Sequence, residues 1–92
     1  MYLSVQLSYY PLTDDYKPPI KDIIQRLEHS GLEVYPNRMS TQLFGEYDHV
    51  MQVVSDTMKW SFTHYGKAVF VANFLEGDRR PKPEVKPTSG NP

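Results

Sequence analysis

The chain of 92 residues is long enough for one small domain, and its 39% hydrophobic content is ordinary for a globular protein. It has no cysteine, which excludes thiolate metal sites, a thiol nucleophile and disulfides, and which suits a reducing compartment. The net charge of −1 gives no strong field to attract nucleic acid. No apolar run approaches the ~20 residues that a membrane span needs, so membrane insertion is not expected.

The first half of the chain predicts a strand, a helix and a second strand. Residues 3–9 alternate apolar and polar side chains, as in a strand with one buried face. Pro18 and Pro19 then open a helix, because proline is tolerated in the first turn. Its apolar stripe consists of Ile20, Ile23, Ile24 and Leu27. Gly31 is the predicted left-handed stop, and Pro36 suggests that the short second strand lies at a sheet edge or ends there. Asn37 and Arg38 are predicted to turn the chain into the third strand.

The second half predicts a third strand, a long helix and a last strand. The third strand covers about residues 40–46, where Gly45 is predicted to let the backbone turn. Asp48 is predicted to cap a helix over about residues 49–65. Residues 68–75 form a strand that is apolar on both faces, which predicts cover on both sides.

The element order β-α-β-β-α-β predicts an α+β, ferredoxin-like fold: a four-stranded antiparallel sheet with two helices on one face. Residues 1–80 are predicted to form this ligand-binding domain. Residues 81–92 are rich in proline and are predicted to be an extended or disordered tail. Because one sheet face stays open while the last strand is apolar on both faces, we expect another subunit to pack there.

The sequence shows no catalytic machinery. Its glycines are isolated, so no phosphate-binding loop is present. His29, His49 and His64 lack metal-ligand spacing, and we expect them to have surface or interface roles. No nucleophile is paired with a base, and no two carboxylates converge. These absences predict a binding module and not an enzyme.

Two charged segments keep alternative interpretations. The Asp14-Asp15 pair is most simply a solvated turn, and its alternative role is to face a cationic ligand. The segment 78–80, Asp-Arg-Arg, is most simply a solvated strand exit. Its alternative role is a phosphate or carboxylate clamp, since arginine presents a bidentate fork.

Two adjacent hydroxyl groups begin the third strand. Ser40 and Thr41 lie beside apolar neighbours, and a small-molecule pocket needs a few fixed polar groups in an apolar wall. The alternative is an ordinary strand entry. Thr41 shares a strand face with Leu43, which favours a pocket between sheet and helices and leaves the opposite face for assembly. The reverse assignment of the two faces is the alternative.

Three segments resemble the thiamine/hydroxymethylpyrimidine-binding, YkoF-like family. Residues 5–12 resemble its first strand, which ends in a proline. Residues 39–46 resemble its most specific strand, which closes on glycine, and residues 78–80 resemble a segment that some members share. The resemblance covers about residues 2–80.

The resemblance implies binding of thiamine or its hydroxymethylpyrimidine moiety without catalysis and without a cofactor. It also implies a homodimer or homotetramer formed through the sheet, a cytoplasmic location, and a role in thiamine salvage or transport. Thr41 matches the family's most constant hydroxyl. Relatives often carry Glu where this chain has Phe44, and Glu46 on the same strand face is the candidate substitute. The predicted ligand-binding residues are Ser8, Tyr9, Ser40, Thr41, Phe44, Glu46 and Asn73.

The ligand class agrees with the chemistry of these residues. Hydroxyls both donate to and accept from an aminopyrimidine, aromatic side chains stack on it, and carboxylates or aromatic faces attract the thiazolium cation. The alternative function is an oligomeric regulatory or assembly module of the same fold, with a different ligand or none. An acylphosphatase-like enzyme is disfavoured because the loop after the first strand is acidic. RNA binding needs a basic surface, and the near-zero net charge and the polar row of Ser4, Gln6 and Ser8 disfavour it.

Overall fold

The computed structural model describes residues 1–37 and 39–81. Arg38, part of the predicted turn between the second and third strands, lies outside the described residues, as does the predicted tail apart from Pro81. The elements follow the predicted order: β1 (Tyr2–Pro11), α1 (Lys17–Glu28), β2 (Glu33–Pro36), β3 (Thr41–Glu46), α2 (Tyr47–Tyr65) and β4 (Ala68–Glu76).

The four strands form one antiparallel sheet in the order β2-β3-β1-β4. The predicted ferredoxin-like α+β fold is therefore confirmed. Strand β2, which ends at Pro36, lies at one edge as predicted, and β4 forms the other edge. In the two central strands, Val5 pairs with Leu43 and Leu7 pairs with Thr41. These pairs fix which side chains share a face.

The core lies between the sheet and the two helices. Alternate residues of β1 and β3 point to this side, and the apolar stripes of the helices cover them. The buried apolar side chains are Leu3, Val5, Leu7, Ile23, Leu27, Leu43, Val50 and Val54. Among the described residues no helix lies on the opposite face of the sheet, and we call it the open face.

Gly45 has a different role from the predicted one. It lies within β3, and the chain passes from Glu46 directly into α2 without a separate turn. A Cβ atom at Gly45 would lie 2.6 Å from Leu32 Cδ2. The glycine therefore allows Leu32 to pack closely against β3.

The predicted helix ends need correction at two positions. Asp48 does not cap α2: Glu46 is the N-cap residue, no side chain caps the helix, and Asp48 lies in the first turn. A carboxylate there favours the helix through the macrodipole instead. Helix α1 ends at Glu28, earlier than predicted, and Gly31 adopts its positive φ of 88° in the turn that follows.

Within one chain β4 is not covered on both sides, so the expected cover by another subunit stays a prediction. Three apolar side chains on the open face of β4 are exposed: Val69, Val71 and Leu75, at 44, 48 and 51%. On the helix side Phe70 is only half-buried. The strand forms an edge of the sheet, and within residues 1–37 and 39–81 no other element lies over its open face.

Candidate functional site

A cavity of about 80 Å³ lies between the sheet and α1, at the end of the sheet where β3 begins. Apolar and polar groups share its walls. The apolar side chains come from the core side of β1 and the stripe of α1: Leu7, Tyr9, Ile20, Ile23, Ile24 and Leu27. The polar groups come from Asn37, Ser40 and Thr41, around the start of β3. Ile20 and Ile24 are only half-buried. Their partial exposure follows from their position at the rim of the interface between α1 and the sheet.

Thr41 supplies a buried hydroxyl to this cavity. Because Thr41 pairs with Leu7, its side chain lies on the helix side of the sheet. The residue is 7% exposed, and its hydroxyl makes no hydrogen bond with the part of the chain that the structure describes. A buried hydroxyl without a partner costs about 1–3 kcal/mol. The cavity therefore contains a polar group that a ligand could satisfy.

The loop before β3 forms the mouth of the cavity. The Asn37 side-chain oxygen accepts hydrogen bonds from the backbone N–H of Met39 and of Ser40, at 3.0 and 3.3 Å. From β1, the Ser8 hydroxyl donates to the Met39 carbonyl at 3.2 Å, and Gln6 Nε2 donates to the Ser40 hydroxyl at 3.4 Å. These contacts fix the backbone of the mouth, while the Met39 side chain stays 81% exposed.

Tyr9 is held in place from two sides. Its ring stacks on Phe70 with centroids 4.7 Å apart, and its hydroxyl accepts a hydrogen bond from the Ser61 hydroxyl at 2.9 Å. Ser61 is fully buried. Tyr9 therefore contributes to the cavity wall as a fixed ring whose hydroxyl already has a partner.

The structure brings some of the predicted site residues together and separates others. Tyr9, Ser40 and Thr41 line the cavity, and Ser8 supports its mouth. The other three lie elsewhere: Phe44 and Asn73 are on the open face, and Glu46 is at the far end of β3, about 16 Å from Thr41 by strand rise.

These three residues have their own contacts. Phe44 is 3% exposed, and its ring meets the edge of Tyr35 with centroids 5.6 Å apart. Asn73 Nδ2 donates to Gln6 Oε1 at 3.2 Å. The Glu46 carboxylate pairs with the N-terminal ammonium at 3.4 Å. Phe44 and Thr41 therefore cannot contact the same small ligand inside the cavity.

The site also includes residues that the sequence did not single out. Ile20 and Ile24 were recognised only as part of a helix stripe, and Asn37 only as part of a turn. The signal for Asn37 was present, because an Asn side chain that bonds the backbone two residues later is a common turn device. The isoleucines could not be identified, because their role depends on where α1 lies over the sheet.

A larger groove of about 570 Å³ runs along the outer side of the two helices. Its lining is charged: the Arg26 guanidinium lies 5.3 Å from the Trp60 ring centre, and Asp22 accepts a hydrogen bond from the Tyr65 hydroxyl. That hydrogen bond raises the pKa of Tyr65 above its usual value, and partial desolvation adds to the shift. These side chains already satisfy one another, so this groove is a weaker site candidate than the Thr41 cavity.

Among residues 1–37 and 39–81, no three His, Asp or Glu side chains are grouped so that they could hold a metal ion. Within the same residues, no helix is long and apolar enough to cross a membrane.

Comparison with known proteins identifies the family. The sequence profile of the family described as "Thiamine-binding protein" matches residues 5–84, which include every element around the cavity. The chain belongs to the thiamine-binding protein family. This is a binding family and not a known enzyme family. The assignment agrees with the resemblance found in the sequence. No curated protein matches the chain in a sequence comparison.

Solved structures of similar fold include three bacterial or archaeal proteins. A Streptococcus pneumoniae protein matches with a TM-score of 0.79 and 18% identity, over 86% of this chain and 90% of the other. A proposed thiamine biosynthesis/salvage protein of Thermotoga maritima matches with a TM-score of 0.73 and 16% identity, over 80% and 82%. A hypothetical protein of Methanocaldococcus jannascii matches with a TM-score of 0.73 and 17% identity, over 96% and 93%. At these identities the matches show the fold alone.

Proposed function

We propose that this protein binds thiamine or its hydroxymethylpyrimidine moiety, without catalysis, in the cavity between the sheet and α1. The observation that carries the proposal is the buried Thr41 hydroxyl, which lacks a partner among the described residues and lines a cavity next to apolar side chains of β1 and α1. An aminopyrimidine has ring nitrogens that accept and an amino group that donates, and a hydroxyl satisfies either. Family membership supports a thiamine-related ligand.

The size of the cavity limits which part of the ligand enters. Its volume of about 80 Å³ is smaller than the roughly 150 Å³ of a cavity known to hold benzene. A pyrimidine ring therefore fits only if the cavity expands. The half-buried Ile20 and Ile24 are the side chains best placed to move, because they have fewer neighbours than the buried Ile23 and Leu27.

The thiazolium half of thiamine would then remain at the surface. The loop between β1 and α1 begins at the end of the sheet where Thr41 lies, and it carries the exposed Asp14 and Asp15. Two exposed carboxylates in this loop attract a cation. On this proposal thiamine binds more tightly than the neutral hydroxymethylpyrimidine, and the difference decreases as salt is added.

Isothermal titration with thiamine and with hydroxymethylpyrimidine tests the proposed ligand. We expect saturable binding of both, weakened about tenfold in Thr41→Val, which corresponds to the loss of about 1.4 kcal/mol. Thr63→Val is the matched control, because Thr63 is exposed on α2 and its hydroxyl bonds the Lys59 carbonyl. Absence of binding, or equal binding by the Thr41→Val variant, would contradict the proposal.

We also propose that the protein forms a homodimer or homotetramer through the open face. An apolar strip of Tyr10, Val69 and Val71 is exposed at one end of this face, where Tyr10 pairs with Val69. Such a patch on a small domain favours burial against a second copy. Sedimentation should show an oligomer that Val71→Lys dissociates, whereas a monomeric parent protein would exclude this assembly.

The second candidate function is an assembly module with a different ligand or none. The small cavity favours it, because the half-buried isoleucines already occupy part of the space beside Thr41. Titration and sedimentation separate the two functions: an oligomer that binds neither compound supports the assembly module.

For the thiamine binder, we propose a cytoplasmic role in thiamine salvage or transport. The Thermotoga neighbour, itself proposed to serve thiamine biosynthesis or salvage, supports this role.

A further inference from the structure

A second cleft, of about 320 Å³, lies on the open face, on the opposite side of the sheet from the Thr41 cavity. We call it the open-face cleft. Its lining includes Gln6, Gln42, Phe44, Asn73, Leu75 and Arg79. It lies toward the end of the face where Gly77 follows β4, away from the apolar strip of Tyr10, Val69 and Val71. Its volume falls within the range of small-molecule pockets, about 300–1,000 Å³.

Three carboxamide side chains form a row across the cleft. Gln6 on β1 pairs directly with Gln42 on β3 and with Asn73 on β4. Neighbouring strands lie about 4.8 Å apart, so the row spans roughly 10 Å. Asn73 Nδ2 already donates to Gln6 Oε1 at 3.2 Å. The Gln42 carboxamide makes no side-chain hydrogen bond within the described residues, so the row retains both a donor and an acceptor for a ligand.

The chain after β4 holds a cation at the rim of the cleft. The Ser4 hydroxyl, on a residue that is 5% exposed, donates to the Gly77 carbonyl at 2.7 Å and accepts from the Arg79 N–H at 2.9 Å. These two bonds fix the backbone of residues 77–79. Arg79 is therefore presented to the cleft from an anchored position.

The two neighbouring arginines differ in their charge partners. Arg80 pairs with Asp78 at 2.7 Å and with Glu33 at 3.4 Å. These carboxylates raise the pKa of Arg80 further above its usual value. The Arg79 guanidinium has no ion pair among residues 1–37 and 39–81. The cleft therefore combines an unpaired cation, a carboxamide row and the apolar ring of Phe44.

We propose that the open-face cleft is a second binding site, for a small flat heterocycle that carries amide-like hydrogen-bonding groups and an anionic carboxylate or phosphate. The carboxamides form hydrogen bonds with the ring edge, the exposed Leu75 contacts the apolar face of the ring beside the buried Phe44, and the Arg79 fork binds the anion. Thiamine is a poor ligand here, because its thiazolium cation meets the Arg79 cation. This site does not depend on the function proposed for the Thr41 cavity, but it requires that assembly through the apolar strip leave this end of the open face uncovered.

NMR titration of the nitrogen-15-labelled full chain tests this proposal. The probes are orotate, which has a carboxylate, uridine 5′-monophosphate, which has a phosphate, and uracil, the neutral ring. We expect saturable shifts of the Gln6, Gln42 and Asn73 side-chain amides with orotate or with the nucleotide. Uracil should bind at least about tenfold more weakly, because it lacks the anion. The tighter of the two anionic probes identifies the preferred anionic group.

Two charge variants make the test specific. Arg79→Gln should weaken binding of the anionic probe about tenfold and leave uracil unchanged. Lys59→Gln, which removes the same charge from the exposed side of α2, should change neither. The proposal is overturned if neither anionic probe gives saturable shifts up to about 10 mM. It is also overturned if Arg79→Gln binds as the parent does, or if the shifts fall on Thr41 and not on the carboxamide row.

Discussion

Replacing Thr41 by valine should stabilise the free protein and weaken its ligand binding. Valine has nearly the shape of threonine, so the substitution mainly exchanges a hydroxyl for a methyl group. The hydroxyl is 7% exposed and has no hydrogen-bond partner among the described residues, so nearly all of its desolvation cost is present in the folded state. That cost is about 1–3 kcal/mol for a hydroxyl in a protein interior.

We therefore expect Thr41→Val to raise the free energy of unfolding by about 1 kcal/mol. For a domain of this size that corresponds to a Tm about 4–8 °C higher. Bound ligand should stabilise the parent more than the variant. At a ligand concentration of about 100 times the parent's Kd, the free energy of unfolding of the parent should rise by about 2.7 kcal/mol, and that of the variant should rise by less.

Urea unfolding of parent and variant, each with and without thiamine, measures both effects. Thr63→Val again serves as the control, since its exposed hydroxyl bonds the backbone of its own helix. The reasoning would be refuted if Thr41→Val lost stability while keeping the parent's m-value. That result would mean that the hydroxyl already has a partner in the free protein.

Three further predictions concern the fold. Ser4→Ala should lower the free energy of unfolding by about 1–3 kcal/mol, because a buried hydroxyl with two hydrogen bonds is lost; an unchanged urea midpoint would contradict this. Gly45→Ala should lower the free energy of unfolding by about 1 kcal/mol, because the new Cβ meets the movable end of the Leu32 side chain. Adding Leu32→Ala should relieve that overlap, so the losses of the two single variants should not add in a double-mutant cycle; additive losses would refute the packing role. The pKa of Tyr65 is raised in the folded state by its bond to Asp22, so stability should fall as pH rises above about 10; Tyr65→Phe should reduce this alkaline loss, and an identical pH profile would contradict it.

Periodicity in the sequence was sufficient to predict the fold. A strand with one buried face shows a period of two, as in β1, and a helix with one buried face shows an apolar stripe, as in α1. The order of these elements along the chain then favours the ferredoxin-like arrangement. The end of β3 was harder, because Gly45 was interpreted through its backbone freedom. The structure assigns it to close packing with Leu32, a residue of a different segment, and this contact is not visible in local sequence.

The candidate site was predictable only in part. Alternation within β1 places Tyr9 on the same face as Leu7. The register pairs Leu7 with Thr41, so Tyr9 and Thr41 lie on the same side of the sheet. Alternation also places Phe44, three residues after Thr41, on the other face. Asn73 depends on the register of β4, which the sequence does not specify. The contribution of α1 depends on how the helix packs over the sheet.

The most direct test of the central claim is an NMR titration of methyl-labelled protein with hydroxymethylpyrimidine. If the ring enters the cavity between the sheet and α1, saturable shifts should occur at the methyl groups of Thr41, Ile20 and Ile24, with no change at the exposed Val71. A titration without saturable shifts at these three methyl groups, or with shifts confined to the open face, would contradict it.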